Sequence, residues 1–286
     1  IFLLAMTGLS EARVLHVNSA AQDGGDGQTW ATSYKYLQDA LAATSDGDTV
    51  WVSAGTYYPD DGSIGTSGDR ALAFILQEGV TLCGGFSGVE TDLSQRDIEN
   101  NETVLSGEIS VDQESWSLHV VRVTGSATMN GVTVTKGNAN GTNSSSNQGG
   151  AIYSAYWGTD LVLKKCTFLE NHSSSGGGAI LADRGSLEAS NCTFTGNVSS
   201  DDGGAIKNGG QLNLSNCIFS GNISSDDGGA LYNLSSSTEA SNCTFTGNIS
   251  NGEGGAIWAY GGSTEGSNCT FSDNRARSRG GAIHGH

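Results

Sequence analysis

The C-terminal half of the chain repeats one order of apolar and polar positions. Between glycine-rich segments, Cys-x-Phe-x-x-Asn recurs with cysteine spacings of 26, 25, 26 and 26 residues. The glycine-rich segment itself is Gly-Gly-Ala-Ile, with leucine in one copy, and it begins at Gly149, Gly177, Gly203, Gly228, Gly254 and Gly280. A fixed period of this length is typical of one structural unit stacked on copies of itself.

Within each repeat, apolar and polar residues alternate over short stretches, which predicts short β-strands. Only the segment between Gly-Gly-Ala-Ile and the next cysteine varies in length, so we expect the variable turn there. Three short strands and three corners in about 26 residues describe one coil of a parallel β-helix. Equivalent residues of neighbouring coils would then stack about 4.8 Å apart. The pattern therefore predicts an all-β solenoid.

This geometry predicts columns of identical side chains along the axis. Each cysteine and the phenylalanine two positions later should both point into the core, because side chains alternate along a strand. The expected core ladder is Cys166, Cys192, Cys217, Cys243 and Cys269 with Phe168, Phe194, Phe219, Phe245 and Phe271. The expected corner ladder of hydrogen-bonded asparagines is Asn171, Asn197, Asn222, Asn248 and Asn274. We expect free thiols, because parallel side-chain vectors suit the disulfide dihedral poorly.

The chain divides into four segments by pattern. Residues 1–12 indicate an apolar secretory leader or, if retained, a strand that pairs with the next subunit. Residues 13–58 predict an N-terminal cap and first coil, with an amphipathic helix over residues 33–44 covering the open end of the core. Residues 59–148 predict irregular coils, and residues 149–286 predict the regular repeats.

The composition narrows the location and the partners. The formal net charge is −17, which disfavours nucleic acid and anionic membranes as partners. No apolar stretch approaches the roughly 20 residues that span a bilayer. Together with the leader, these features predict an extracellular or cell-surface protein without a membrane span.

The repeat motifs resemble those of chlamydial polymorphic membrane proteins and related bacterial secreted proteins. The opening, from Asp26-Gly-Gln-Thr-Trp30 to Gly55-Thr-Tyr57, is similar to the N-terminal cap of large bacterial surface proteins with pectate-lyase-like β-helices. This resemblance implies a right-handed parallel β-helix with a short helical cap. It also implies an adhesin or a surface structure rather than a particular enzymatic activity.

Aspartates of two neighbouring repeats are the candidates for metal binding. Asp201, Asp202, Asp226 and Asp227 should lie close together in the turn after the asparagine, where calcium could bridge their oxygens. We favour a solvated acidic turn without a resident cofactor, because the repeat of calcium-binding β-rolls is absent. No lysine is expected beside Asp201 or Asp226.

Asparagines in Asn-x-Ser/Thr sequences are candidates for glycosylation in an exported protein. The corner asparagines share this motif, but their fixed place after a core phenylalanine favours a structural role. The candidates expected on variable turns are Asn101, Asn140, Asn143, Asn213 and Asn233.

We therefore expect a structural or adhesive surface protein rather than an enzyme. Its unpaired terminal coil favours a homopolymer formed by head-to-tail stacking or strand insertion, with surface glycans as further partners. The alternative is a polysaccharide-active lyase or hydrolase, or a carbohydrate-binding β-helix module.

Overall fold

The computed structural model describes residues 11–63, 65–109, 112–234 and 237–285. The predicted leader and the terminal His286 therefore lie almost wholly outside the described residues. Within these ranges the strands form four sheets, A to D, and all pairings between neighbouring strands are parallel. The expected all-β parallel β-helix is confirmed.

Each full coil contributes one strand to each sheet, in the order C, A, B, D. Sheet A contains Val14–Val17, Thr49–Ser53, Thr81–Phe86, Ala127–Asn130, Asp160–Lys164, Ser186–Ser190, Gln211–Ser215, Thr238–Ser241 and Thr264–Ser267. Sheet B contains Gly55–Tyr57, Thr103–Ser106, Thr133–Thr135, Thr167–Leu169, Thr193–Thr195, Ile218–Ser220, Thr244–Thr246 and Thr270–Ser272. Sheet C contains Phe74–Leu76, Val121–Val123, Ile152–Ser154, Ile180–Ala182, Ile206–Asn208, Leu231–Leu234, Ile257–Tyr260 and Ile283–Gly285. Sheet D contains Asn138–Ala139, His172–Ser173, Val198–Ser199, Ile223–Ser224, Ile249–Ser250 and Arg275–Ala276.

The prediction of three strands per coil was wrong, because sheet D supplies a fourth. Its strands are two residues long, and all but the first, Asn138–Ala139, directly follow a corner asparagine, inside the segment expected to be a turn. Val198 pairs with Ile223 and Ser199 pairs with Ser224, so even these short strands are in register. The serine of each pair points inward and is buried, as Ser199 and Ser224 show.

The glycine pair of each repeat forms the corner between sheets D and C. Gly203 adopts a φ of +60°, which L-residues with a side chain rarely adopt. A Cβ atom on the following Gly204 would collide with the carbonyl oxygen of Gly229 in the next coil. Glycine is therefore required at both positions, at Gly203 by the positive φ and at Gly204 by the close approach of the next coil.

The N-terminal cap is built differently from the prediction in one respect. The α-helix spans Leu37–Ala42, and a 3-10 helix spans Trp30–Thr32. The residues between them are extended because Tyr34 forms a parallel bridge with Val17 and exchanges backbone hydrogen bonds with His16 and Asn18. The helix buries Leu37, Ala40 and Leu41 on the end of the core, as an end cap requires. Two further 3-10 helices span Leu93–Gln95 and Gln113–Ser115.

Candidate functional site

The predicted ladders occupy the core and one corner of the coils. The first four cysteines and phenylalanines are buried, and the ring centroids of successive phenylalanines lie 4.6 to 4.9 Å apart. Cys269 and Phe271, in the last coil, are only partly buried. All six cysteines are free thiols, and burial raises the pKa of Cys83 to about 11. Burial of the cysteine and phenylalanine columns in the core indicates that they pack the coils together.

The aspartates of the acidic turn form one cluster. Carboxylate oxygens of Asp201, Asp202 and Asp226 lie within 4.8 Å of one another. Asp227 joins them from the next coil, and its backbone N–H donates to Asp202 Oδ1 at 3.5 Å. Burial raises the pKa of Asp201, Asp226 and Asp227, and the neighbouring carboxylates add to this effect. The turn therefore concentrates negative charge in partly desolvated surroundings.

Lys207 lies beside this cluster, which contradicts the expectation that no lysine would. Its Nζ atom is 3.0 Å from Asp202 Oδ2 and 3.8 Å from Asp201 Oδ2, and its side chain is 18% exposed. The glycine corner reverses the chain between Asp202 and Lys207, so five residues of sequence bring the two side chains together. The ammonium group thus neutralises part of the charge that a bound cation would neutralise.

An outward column of sheet C continues from Lys207 along the axis. Lys207, Tyr232, Trp258 and His284 occupy the same register in successive coils. The ammonium of Lys207 lies 5.1 Å from the Tyr232 ring centre, and the Tyr232 and Trp258 rings stack at 4.4 Å. His284 Nε2 is 3.0 Å from Glu253 Oε2, so the last residue of this column contacts the acidic turn of the preceding coil. A cation–π contact, a ring stack and an ion pair therefore follow one another along this column of sheet C.

A second outward column follows sheet A and lines a groove of about 480 Å³. Glu188, Asn213, Glu239 and Glu265 are paired in register, each four residues before a core cysteine. A parallel column of serines, Ser190, Ser215, Ser241 and Ser267, runs beside them. These glutamates were not among the predicted site residues, although their fixed distance from the cysteine was a usable signal.

The five glycosylation candidates differ in their placement. Asn143 is exposed in a turn, while Asn101 and Asn140 are half-buried. Two were wrongly expected on variable turns, because Asn213 lies within the sheet A strand Gln211–Ser215 and Asn233 lies within a sheet C strand. Asn233 is 1% exposed and accepts a hydrogen bond from Asn208 Nδ2 at 2.8 Å. Its side chain points inward, so a glycan has no room there.

Comparison with known proteins identifies the family. Residues 107–284 match the family model described as right handed beta helix region. The chain belongs to this family, and the parallel β-helix is right-handed as expected. No helix among the described residues has the length and apolar character needed to cross a membrane.

Other comparisons add little about activity. The search of curated proteins returns no match. The solved structure of a rhamnogalacturonan lyase is similar at 11% identity and a TM-score of 0.36, over 91% of this chain and 62% of the lyase chain. The chain thus spans less than two thirds of that lyase, and so distant a likeness bears on neither substrate nor reaction.

Proposed function

We propose that this protein is an extracellular structural or adhesive surface element. The observation that supports this function is the repetition of polar side chains along sheet A. Glutamate or asparagine and serine recur at the same two outward positions in four successive coils. A surface that repeats at the spacing of strands matches an extended partner, such as a polysaccharide fibre, better than a single small molecule.

Binding to insoluble polysaccharides tests this function. We expect the protein to sediment with a neutral or amino-bearing polysaccharide without shortening it. The double variant Glu239→Gln/Glu265→Gln should bind more weakly, because it removes two neighbouring carboxylates from the groove. The matched control, Glu99→Gln/Glu170→Gln, removes two exposed carboxylates elsewhere and should bind as the wild type does. Equal binding by both double variants would refute a role for sheet A.

End-to-end assembly is part of the same proposal. In the last described coil Ile283 is 45% exposed and Phe271 and Cys269 are partly buried, so this coil presents apolar side chains of three ladders. Another subunit could cover them by stacking or by adding the apolar segment 1–9 as a strand. Electron microscopy of concentrated protein should show filaments, and a monodisperse monomer would exclude this mode of assembly.

A second candidate is an enzyme or binding module for polysaccharides. Glu239 and Glu265 are neighbours in register within an open groove, and paired carboxylates are the groups that glycoside hydrolysis uses. Incubation with pectin, alginate and neutral glucans, with and without calcium, tests this candidate. Release of new reducing ends or unsaturated products that is lost in Glu239→Gln would replace the adhesive function by an enzymatic one.

A further inference from the structure

One corner of the coils carries side chains that do not repeat. The turn between the sheet C strand Ile152–Ser154 and the sheet A strand Asp160–Lys164 contains Tyr156 and Trp157. Trp157 is 80% exposed and Tyr156 is 43% exposed. Among the large hydrophobic side chains of the described residues, Trp157 is the most exposed. Two exposed rings at one turn offer flat apolar faces on which a ligand can pack.

Arg184, from the equivalent turn of the next coil, holds this indole in place. Its guanidinium carbon lies 4.7 Å from the centre of the Trp157 ring. Its Nε atom donates to Asp183 Oδ2 at 3.0 Å, and its backbone carbonyl accepts from Gly158 N at 3.2 Å. The Trp157 ring and the Asp183 carboxylate thus orient the guanidinium, while the Arg184 side chain remains 43% exposed.

The turn above Arg184 adds no side chain that could cover it. This turn is formed by Gly209 and Gly210. A Cβ atom on Gly209 would lie 2.6 Å from the carbonyl oxygen of Asp183, and one on Gly210 would collide with the carbonyl oxygen of Gly185. Only glycine fits at these two positions, so no side chain of this turn covers the Arg184 guanidinium.

A second arginine, Arg122, lies in sheet C two coils before Arg184. Arg122 lies over the Tyr153 ring with its guanidinium carbon 5.3 Å from the ring centre. Burial raises the pKa of Tyr153, and the nearby charges act in both directions, since Arg122 and Arg184 lower it whereas Asp183 raises it. In a chain of net charge −17, this face therefore carries two arginines on aromatic rings: Arg122 over the half-buried Tyr153 and Arg184 over the exposed Trp157.

We propose that Tyr156, Trp157 and Arg184 form a binding site for a carboxylate-bearing oligosaccharide. One sugar would pack its apolar face on the open face of Trp157, and the carboxylate of the adjoining sugar would accept from the Arg184 Nη groups. A carboxylate fits this role because its planar pair of oxygens matches the guanidinium fork. The site is separate from the sheet A groove and goes beyond the proposed function, because its arginine favours an acidic chain whereas the glutamates of the groove favour a neutral or amino-bearing one.

Titration with three soluble oligosaccharides tests the site: an oligogalacturonate, a sulfated oligosaccharide and a neutral cello-oligosaccharide. We expect the oligogalacturonate to bind best. Trp157→Ala and Arg184→Ala should each weaken its binding by about tenfold or more, since each removes a ring face or a charge-assisted hydrogen bond. Arg184→Lys should not restore the affinity, because an ammonium lacks the planar fork.

Two further variants serve as controls. Asp183→Asn should bind the oligogalacturonate more tightly, because it removes a carboxylate that repels the ligand. Arg277→Ala removes an exposed arginine on the last coil and should leave binding unchanged. If the wild type binds polysaccharide but Trp157→Ala and Arg184→Ala bind equally well, this site is wrong and the adhesive function stands. If the wild type binds no polysaccharide at all, both proposals fail.

Discussion

The corner asparagines show how one residue type stabilises every coil. Asn222 Nδ2 donates to Phe194 O at 3.0 Å and to Asn248 Oδ1 at 2.9 Å. Its own Oδ1 accepts from the backbone N–H and the Nδ2 of Asn197, at 3.1 and 3.0 Å. The side chain is 0% exposed, so all of these bonds are protected from water. The Asn-x-Ser sequence here serves hydrogen bonding between coils.

Substitution of Asn222 by alanine tests this role. We expect the free energy of unfolding to fall by about 2–4 kcal/mol, because buried donors and acceptors in two neighbouring coils lose their partners. Asn274→Ala is the matched control, since Asn274 lies in the last coil and is only partly buried. Its loss should cost about 1 kcal/mol. Urea denaturation measures both, and equal losses would contradict a ladder that depends on burial.

Lys207 allows a prediction about the acidic turn. Lys207→Gln should lower the free energy of unfolding by about 1–2 kcal/mol, because Asp201 and Asp202 lose their shared counter-ion. Calcium should then raise the melting temperature of the variant, since it can replace the missing charge. Calcium should have little effect on the wild type or on Lys164→Gln, which removes an exposed lysine of sheet A. A calcium response of equal size in all three proteins would show that Lys207 does not occupy the cation position.

Single residues were predictable only where the period recurs. The cysteine, phenylalanine and asparagine columns followed directly from the spacing, because every copy has the same neighbours. Lys207 and Trp157 occur once, so no repeat indicated their surroundings. Lys207 contacts Asp202 across the glycine corner, and Trp157 contacts Arg184 of the next coil. Such pairs require knowledge of the turn geometry.

At the scale of elements, the two-residue strands of sheet D explain the main error of the prediction. Val198–Ser199 has too few residues for an alternating pattern to be visible, and it lies between asparagine and glycine, which indicate a turn. The cap helix was predicted over residues 33–44, but it spans only Leu37–Ala42. Tyr34 fits a helical face, but its backbone pairs with the strand Val14–Val17, and this tertiary contact overrides the local pattern.

The loop that fastens the cap provides a prediction of pH dependence. Glu90 accepts hydrogen bonds from Ser87 N, Ser87 Oγ, Gly88 N and Val89 N, while its carbonyl accepts from Trp30 Nε1 at 2.8 Å. Burial alone would raise the pKa of Glu90, but these hydrogen bonds outweigh it and lower the pKa to about 2. The stabilisation is therefore complete above the ordinary pKa of 4.5 and is lost as the pH falls towards 2.

Glu90→Gln should remove this part of the acid sensitivity. At neutral pH the variant should be less stable by about 1–3 kcal/mol, because an amide is a weaker acceptor than a carboxylate. Between pH 4.5 and 2 its stability should change less than that of the wild type. Glu99→Gln, at an exposed position, is the control and should retain the wild-type profile. Identical acid transitions for wild type and Glu90→Gln, measured by melting temperature across this range, would count against the loop as their origin.

At the scale of the whole molecule, the coils contact mainly their immediate neighbours, so stability is close to a sum of coil and interface terms. The Phe219 ring is fully buried between those of Phe194 at 4.6 Å and Phe245 at 4.8 Å. Among the described residues, Phe271 stacks on one ring, that of Phe245, at 4.9 Å, and is partly buried. An interior coil therefore has two stacking interfaces, whereas the last described coil has one.

This difference predicts how the solenoid responds to loss of a ring. Phe219→Ala should lower the free energy of unfolding by about 3–5 kcal/mol, because it creates a cavity and interrupts the ladder. Phe271→Ala should cost about 1–2 kcal/mol, since its ring is already partly exposed. In native-state hydrogen exchange, Phe271→Ala should reduce protection only in the last coils, and Phe219→Ala should also reduce it in the coils on both sides. Uniform loss of protection along the whole chain in both variants would mean that the β-helix unfolds as one cooperative body rather than coil by coil.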